Sequence, residues 1–163
     1  MRTADKPARV RLLGAGTILR EALAAADVLQ KDFDVVADVY SVTSFTELRR
    51  HALAQSRRAR LGAKRETTWI EKQLPRNDTP VVAASDYVSA VADLIRPWVR
   101  DPYVVLGTDG FGRSDTRAQL RRFFEVDRHA IAVAALSQID AALARRAASL
   151  YGIDADTAPP WTR

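Results

Sequence analysis

Short apolar runs alternate with segments of helical spacing along the whole chain, and that alternation is the tightest constraint on its fold. Val10–Leu13 is an apolar-rich run closed by Gly14, and Val35–Val42 is β-branched and aromatic, a composition that suits a pleated surface. Pro80–Ala84, bounded by Pro80 and Asp86, and Tyr103–Leu106 are the other predicted strands. Between them the period changes. Thr17 is placed to cap a helix running through about Gln30, with Ile18, Leu19, Ala22, Ala25, Ala26 and Leu29 on one face. Ser44-Phe45-Thr46-Glu47 has capping-box spacing, and the helix it starts runs into an arginine-rich segment. Tyr87, Val88, Val91 and Leu94 recur at helical spacing before Pro97, which ends or kinks that helix. Thr116–Phe124 and Ile139–Leu150 read as further helices, the second stopped at Gly152. Ala130–Leu136 fits either a buried strand or a buried helix; its alanines and the helical pattern after it favour helix for part of it. The tail Thr157–Arg163, with Pro159-Pro160, cannot continue a helix and is expected along a surface.

Strands alternating with helices imply a three-layer α/β fold: a mostly parallel sheet with helices on both faces, joined by right-handed crossovers. A length of 163 residues fits a single domain over residues 1–163, and 47% hydrophobic residues suffice for a sizeable core. No apolar run approaches the ~20 residues that span a bilayer. The charged start, MRTADKPARV, lacks the apolar stretch of a secretory signal. Cysteine is absent, which excludes disulfides and thiolate chemistry and suits a cytoplasmic setting.

The net charge of +5 favours acidic partners. Much of it sits in Arg49–Arg65, where eight of seventeen residues are Arg, Lys or His. Such a segment could contact nucleic acid phosphates, but Trp69 is the only aromatic nearby and no stacking ladder exists. A solvated helix face or an inter-subunit surface fits it better. Gly14-Ala15-Gly16 invites a dinucleotide reading, and Asp38 lies at roughly the right offset. Leu19, however, stands where the fingerprint needs a third glycine, so a plain glycine turn between strand and helix is the better description. His51 and His129, the two histidines, lie among arginines and off metal-ligand spacing. Ser114, His129 and Asp109 could be drawn as a triad, but no nucleophile elbow surrounds the serine.

The richest stretch is Gly107–Arg117, GTDGFGRSDTR, with three glycines directly after an apolar run. It reads as a shaped loop at a strand end, where open α/β sheets meet ligands and partners. Its candidate residues are Asp109, Phe111, Arg113, Ser114, Asp115 and Arg117. Two uses are open: a polar loop that reaches a partner subunit or an active-site rim, or a self-bonded connection. In the second, Asp109 accepts loop amides, Ser114 or Asp115 caps the next helix, and Arg113 pairs with a carboxylate.

The same stretch resembles a signature near the C-terminus of the large homodimeric pyruvate dehydrogenase E1 family. Arg11–Arg20 (RLLGAGTILR) resembles the segment that opens that family's C-terminal domain, and Asp38–Leu48 (DVYSVTSFTEL) resembles the strand and helix that follow it. Phe123–Asp127 (FFEVD) and Tyr151–Asp156 (YGIDAD) resemble its tail, in the family's order. The resemblance implies a transketolase C-terminal-domain-like fold, with one antiparallel strand in its sheet. It implies an assembly role in an enzyme that decarboxylates pyruvate with thiamine diphosphate and Mg2+ and acetylates the lipoyl group of E2. It also implies that the remaining E1 domains are the immediate partner, that E2 is an indirect one, and that the chain is part of a homo-oligomer. No GDG…N diphosphate motif occurs in the chain, so by itself it is expected to bind no cofactor and to catalyse nothing. Where the family has a Trp-Asn and a Leu-His-Pro, this chain has Arg49–Lys72, so partner surfaces transfer least safely. The alternative is an independent basic binding module, for nucleic acid or an acidic protein, that keeps the fold without the enzyme. A nucleotide-binding regulatory domain using Gly14–Thr17 is a remoter one.

Overall fold

The computed structural model describes residues 8–162. Four strands, β1 (Arg9–Gly14), β2 (Val36–Ser41), β3 (Val81–Ala84) and β4 (Tyr103–Leu106), form one sheet in the order β2-β1-β3-β4. All three pairings are parallel. The antiparallel strand implied by the family resemblance is not among the described residues. Register places Leu12 beside Val82 and Leu13 beside Ala83, so successive residues face opposite sides of the sheet.

Each side has its own core. On one, Val10, Leu12, Val82 and Ala84 meet Ile18 and the helices α1 (Leu19–Phe33), α6 (Arg128–Ser137) and α7 (Ala141–Leu150). On the other, Leu13, Val81 and Ala83 meet α2 (Phe45–Arg60), α3 (Trp69–Gln73) and α4 (Ser89–Asp93). The three layers expected from the alternation are present, and α5 (Arg117–Phe123) closes one end. Burying the side chains of Leu12, Leu29 and Leu136 completely contributes about 1.5–3 kcal/mol each.

The ambiguous Ala130–Leu136 run is helical. Asp127 caps it by accepting from the Ala130 amide at 2.8 Å, and Ile131, Ala132, Ala135 and Leu136 line its buried face. A strand would have buried alternate residues instead. Thr17 does not cap α1. Gly14–Gly16 leads into a short 3-10 turn, Gly16–Ile18, so the cap position falls on Ile18 and the Thr17 hydroxyl is free for other work. Ser44 caps α2, but Glu47 pairs with Arg50 rather than completing the box. The complete capping box is at Thr68 and Glu71. The helix expected from Tyr87 starts only at Ser89, and Pro97 lies in a separate 3-10 turn, Arg96–Trp98. The tail ends in another such turn, Pro160–Thr162.

At the opposite end of the sheet, Arg11 is buried in β1 and donates to Asp101 at 3.1 Å and to the Pro75 carbonyl at 3.0 Å. Asp101 also accepts from the Asp78 amide at 3.0 Å. This pair is fully bonded, as a buried ion pair must be to offset its desolvation.

Candidate functional site

The loops leaving β1, β3 and β4 meet at the C-terminal edge of the sheet. The strand order reverses between β1 and β3, so this edge includes the switch point where open α/β sheets present ligands or partners.

The loop after β4 is built against the start of α4. A Cβ on Gly107 would stand 2.3 Å from the Ser89 amide nitrogen and 2.7 Å from the Tyr87 carbonyl. Only glycine lets these backbones approach so closely. Their approach brings Asp109 Oδ1 to 3.0 Å from the Ser89 amide, which donates to it. A carboxylate from a distant loop thus serves the amino end of a helix whose own Val88 offers no cap. Thr108 donates its amide to Tyr87 at 2.9 Å and its hydroxyl to the Asp86 carbonyl at 2.6 Å.

Beyond Asp109 the loop turns outward. Gly110 has φ +110°, and the tail crosses it so closely that a Cβ would lie 2.8 Å from the Pro160 carbonyl. Phe111 is 84% exposed. The Arg113 guanidinium stacks over Phe123 at 4.2 Å rather than pairing with a carboxylate. Ser114 is exposed and caps nothing, and Asp115 accepts from the Thr116 amide at 2.6 Å. The cap of α5 is Thr116, whose hydroxyl accepts from the Gln119 amide. The expectation that Ser114 or Asp115 caps this helix is therefore corrected by one or two positions. Arg117 opens α5 and is exposed.

Beneath the loop runs a polar chain. Thr17 donates to Asp86 at 2.6 Å, and Arg121 donates to Thr17 at 3.1 Å and to Glu21 at 2.9 Å. Glu21 also accepts from the side chain of Arg128 at 3.0 Å and from its amide at 3.1 Å. Burial pushes the Glu21 carboxyl up, but the bonds from Arg128 and the charges of Arg128 and Arg121 outweigh it and hold the group below its ordinary range. A cavity of about 420 Å³ opens between loop and chain, lined by Thr17, Asp86, Thr108, Arg113, Arg117 and Arg121 among others.

Of the six predicted residues, five lie on the loop and Arg117 opens α5, and Asp109 is the one that accepts from a distant backbone amide, that of Ser89. Sequence reading missed Glu21, Arg121 and Arg128. A signal existed for Glu21, which falls on the same helical stripe as Ala25 and Leu29 and so had to be buried with a partner. Tyr87 and Trp161, 65% and 60% exposed, were also missed as site residues and stand beside the loop. Ser114, His129 and Asp109 are not joined. His129 stacks on Tyr151 at 4.4 Å, and Asp109 is bound to Ser89. Gly14 contributes packing rather than a phosphate cradle, since its Cβ would lie 2.7 Å from the Leu19 Cα. Among the described residues no three His, Asp or Glu side chains converge as a metal site requires, and no helix is long and apolar enough to cross a membrane.

The fold is thus a doubly wound parallel α/β domain with a bonded polar chain and an aromatic, arginine-bearing loop at its C-terminal edge. The chain belongs to the transketolase-like TK C-terminal domain family, whose model matches residues 1–127. It is 48% identical over 160 residues to the pyruvate dehydrogenase E1 component of Pseudomonas aeruginosa, covering 93% of this chain and 18% of that protein. It is 52% identical over 134 residues to the E1 component of Cupriavidus necator, covering 80% of this chain and 15% of the relative. The Escherichia coli K12 E1 component is 44% identical over 159 residues, with 93% and 18% covered. The chain thus spans less than a fifth of these relatives' length. Among solved structures, a split-gene transketolase described as an inactive beta4 tetramer shares the fold, with a TM-score of 0.55 at 20% identity. That match covers 82% of this chain and 40% of the transketolase chain.

Proposed function

We propose that this chain serves as the C-terminal assembly domain of a pyruvate dehydrogenase E1 component, as a single domain over residues 1–163. The observation that carries this reading is the 48% identity to an E1 component across 93% of the chain. In the parent enzyme, pyruvate would be decarboxylated with thiamine diphosphate and Mg2+ and the acetyl unit passed to lipoyl-E2. Those groups would be held by domains outside this stretch, and no step of that reaction is routed through the residues described above.

The loop Gly107–Arg117 is the contact this role would use. Phe111, Tyr87 and Trp161 present exposed aromatic rings at one end of the domain, and Arg113 and Arg117 flank them. Aromatic and arginine side chains are the types that anchor protein interfaces. The polar chain from Asp86 to Arg128 keeps the loop's base rigid, so little order has to be gained on docking. The partner is the rest of the E1 polypeptide, within a homo-oligomer. Co-expression of this chain with the complementary E1 domains tests the reading. A stable complex that Phe111→Asp dissolves supports it; absence of any complex at micromolar concentrations refutes it.

A further inference from the structure

A second cavity lies on the other flank of the molecule, at the β2 edge of the sheet. It is a groove of about 540 Å³ floored by Leu13, Tyr40 and Ile95 and walled by Leu48, Ile70 and Leu74. Trp69, 54% exposed, lies along it, and the Trp69 amide donates to His51 Nδ1 at 3.4 Å, joining α3 to α2. Nothing in the described chain fills this space.

The outer wall of the groove is α2, and α2 is poorly buried. Only Phe45 and Ala52 are fully covered. Glu47, His51, Ala54, Arg58 and Leu61 follow at three- and four-residue intervals, so they form one exposed stripe beside the groove. Arg50 and Arg57 adjoin it. Arg50 pairs with Glu47, whereas Arg57 and Arg58 have no carboxylate partner among the described residues. Leu61 is 67% exposed at the end of the stripe.

We propose that the groove, together with Arg57 and Arg58 toward the C-terminal end of α2, docks an acidic, amphipathic segment of a partner protein. Its apolar side chains enter the groove against Trp69, and its carboxylates meet Arg57 and Arg58. Charge selects this occupant. A second copy would bring identical arginines together on a chain already at +5. Nucleic acid would use the arginines but leave the apolar groove empty, and the single Trp69 offers no stacking ladder. The groove's own carboxylate, Glu47, is paired with Arg50, whereas Arg57 and Arg58, farther along the same helix, are unpaired among the described residues, so a segment running from the groove along α2 is matched by an apolar anchor followed by carboxylates. None of the Gly107–Arg117 residues takes part, so this inference stands or falls apart from the assembly role.

The test uses the full chain and two labelled probes followed by fluorescence anisotropy: an amphipathic peptide of glutamate and leucine, and a single-stranded oligothymidine. Saturable peptide binding is expected. Trp69→Ala should weaken it by about tenfold or more, as loss of an aromatic anchor does. Arg57→Glu combined with Arg58→Glu should weaken it comparably, while Leu150→Ala on the remote α7 leaves it unchanged. Circular dichroism confirms that the variants are folded. The proposal is overturned if the peptide does not bind or if binding survives both groove-side variants. Tighter binding of the oligothymidine, falling about fifty-fold between ~50 and ~200 mM salt for roughly four phosphate contacts, would overturn it in favour of nucleic acid.

Discussion

Replacing Gly107 by alanine should damage this domain far more than the same change at Gly112, five residues along one loop. An added Cβ at Gly107 meets three backbone atoms, at 2.3, 2.6 and 2.7 Å, where ordinary contact begins at 3.4 Å. Neither backbone has a flexible end to swing aside, so β4 and the start of α4 must separate by about 1 Å. Overpacking of this kind costs about 1–3 kcal/mol. The separation also stretches two hydrogen bonds, Thr108 amide to Tyr87 carbonyl and Ser89 amide to Asp109, at about 1 kcal/mol each. The expected loss is therefore about 3–5 kcal/mol, a large part of a domain's whole stability. At Gly112 no atom lies within 4 Å of the added Cβ, so alanine there should change stability by less than about 1 kcal/mol. Urea unfolding followed by circular dichroism measures both. Equal stabilities for the two variants would refute the claim that close approach, rather than general loop flexibility, accounts for Gly107.

Other perturbations follow from the same geometry. Burial pushes the Glu71 carboxyl up, but the Thr68 amide and hydroxyl, Arg65 and Arg100 bond it strongly enough to hold it at about 2 instead of 4.5. Its contribution, at most about 3 kcal/mol, is present above pH ~4.5 and lost as pH falls toward 2, so Glu71→Gln should flatten the acid limb of a stability–pH curve. Glu21→Ala leaves Arg121 and Arg128 without their shared carboxylate and should cost about 2 kcal/mol in urea unfolding. Leu136→Ala, at a fully buried position between α6 and the sheet, should cost about 2–5 kcal/mol in the same assay. Phe111→Ala removes a ring that is 84% exposed, so thermal stability should hold within a few degrees while association with the complementary E1 domains weakens.

The layered fold was legible because its signals are local. All four strands lie within a residue or two of their predicted positions, and α5 and α7 end where Phe124 and Gly152 suggested. Errors fell where a tertiary contact overrides local chemistry. Thr17 looks like a cap, but its hydroxyl bonds Asp86, far along the chain, and the 3-10 turn at Gly16–Ile18 takes over the start of the helix. Asp109 looked like a loop-bonding residue and is one, yet the amide it accepts from belongs to Ser89, twenty positions away. Arg113 was expected to find a carboxylate and instead stacks on Phe123, a choice that depends on how α5 turns back over the loop. The groove beside Trp69 could not be read at all, because it arises from the spacing of α2, α3 and the edge strand rather than from any motif.

The assembly role is tested most directly by a chimera. Substituting this chain for the corresponding C-terminal segment of the Pseudomonas aeruginosa E1 component, and measuring the oligomeric state by sedimentation alongside acetyl transfer, would answer the question. The account predicts a dimeric, active chimera that Phe111→Asp converts to a monomer. A chimera that is folded by circular dichroism but monomeric and inactive would contradict it.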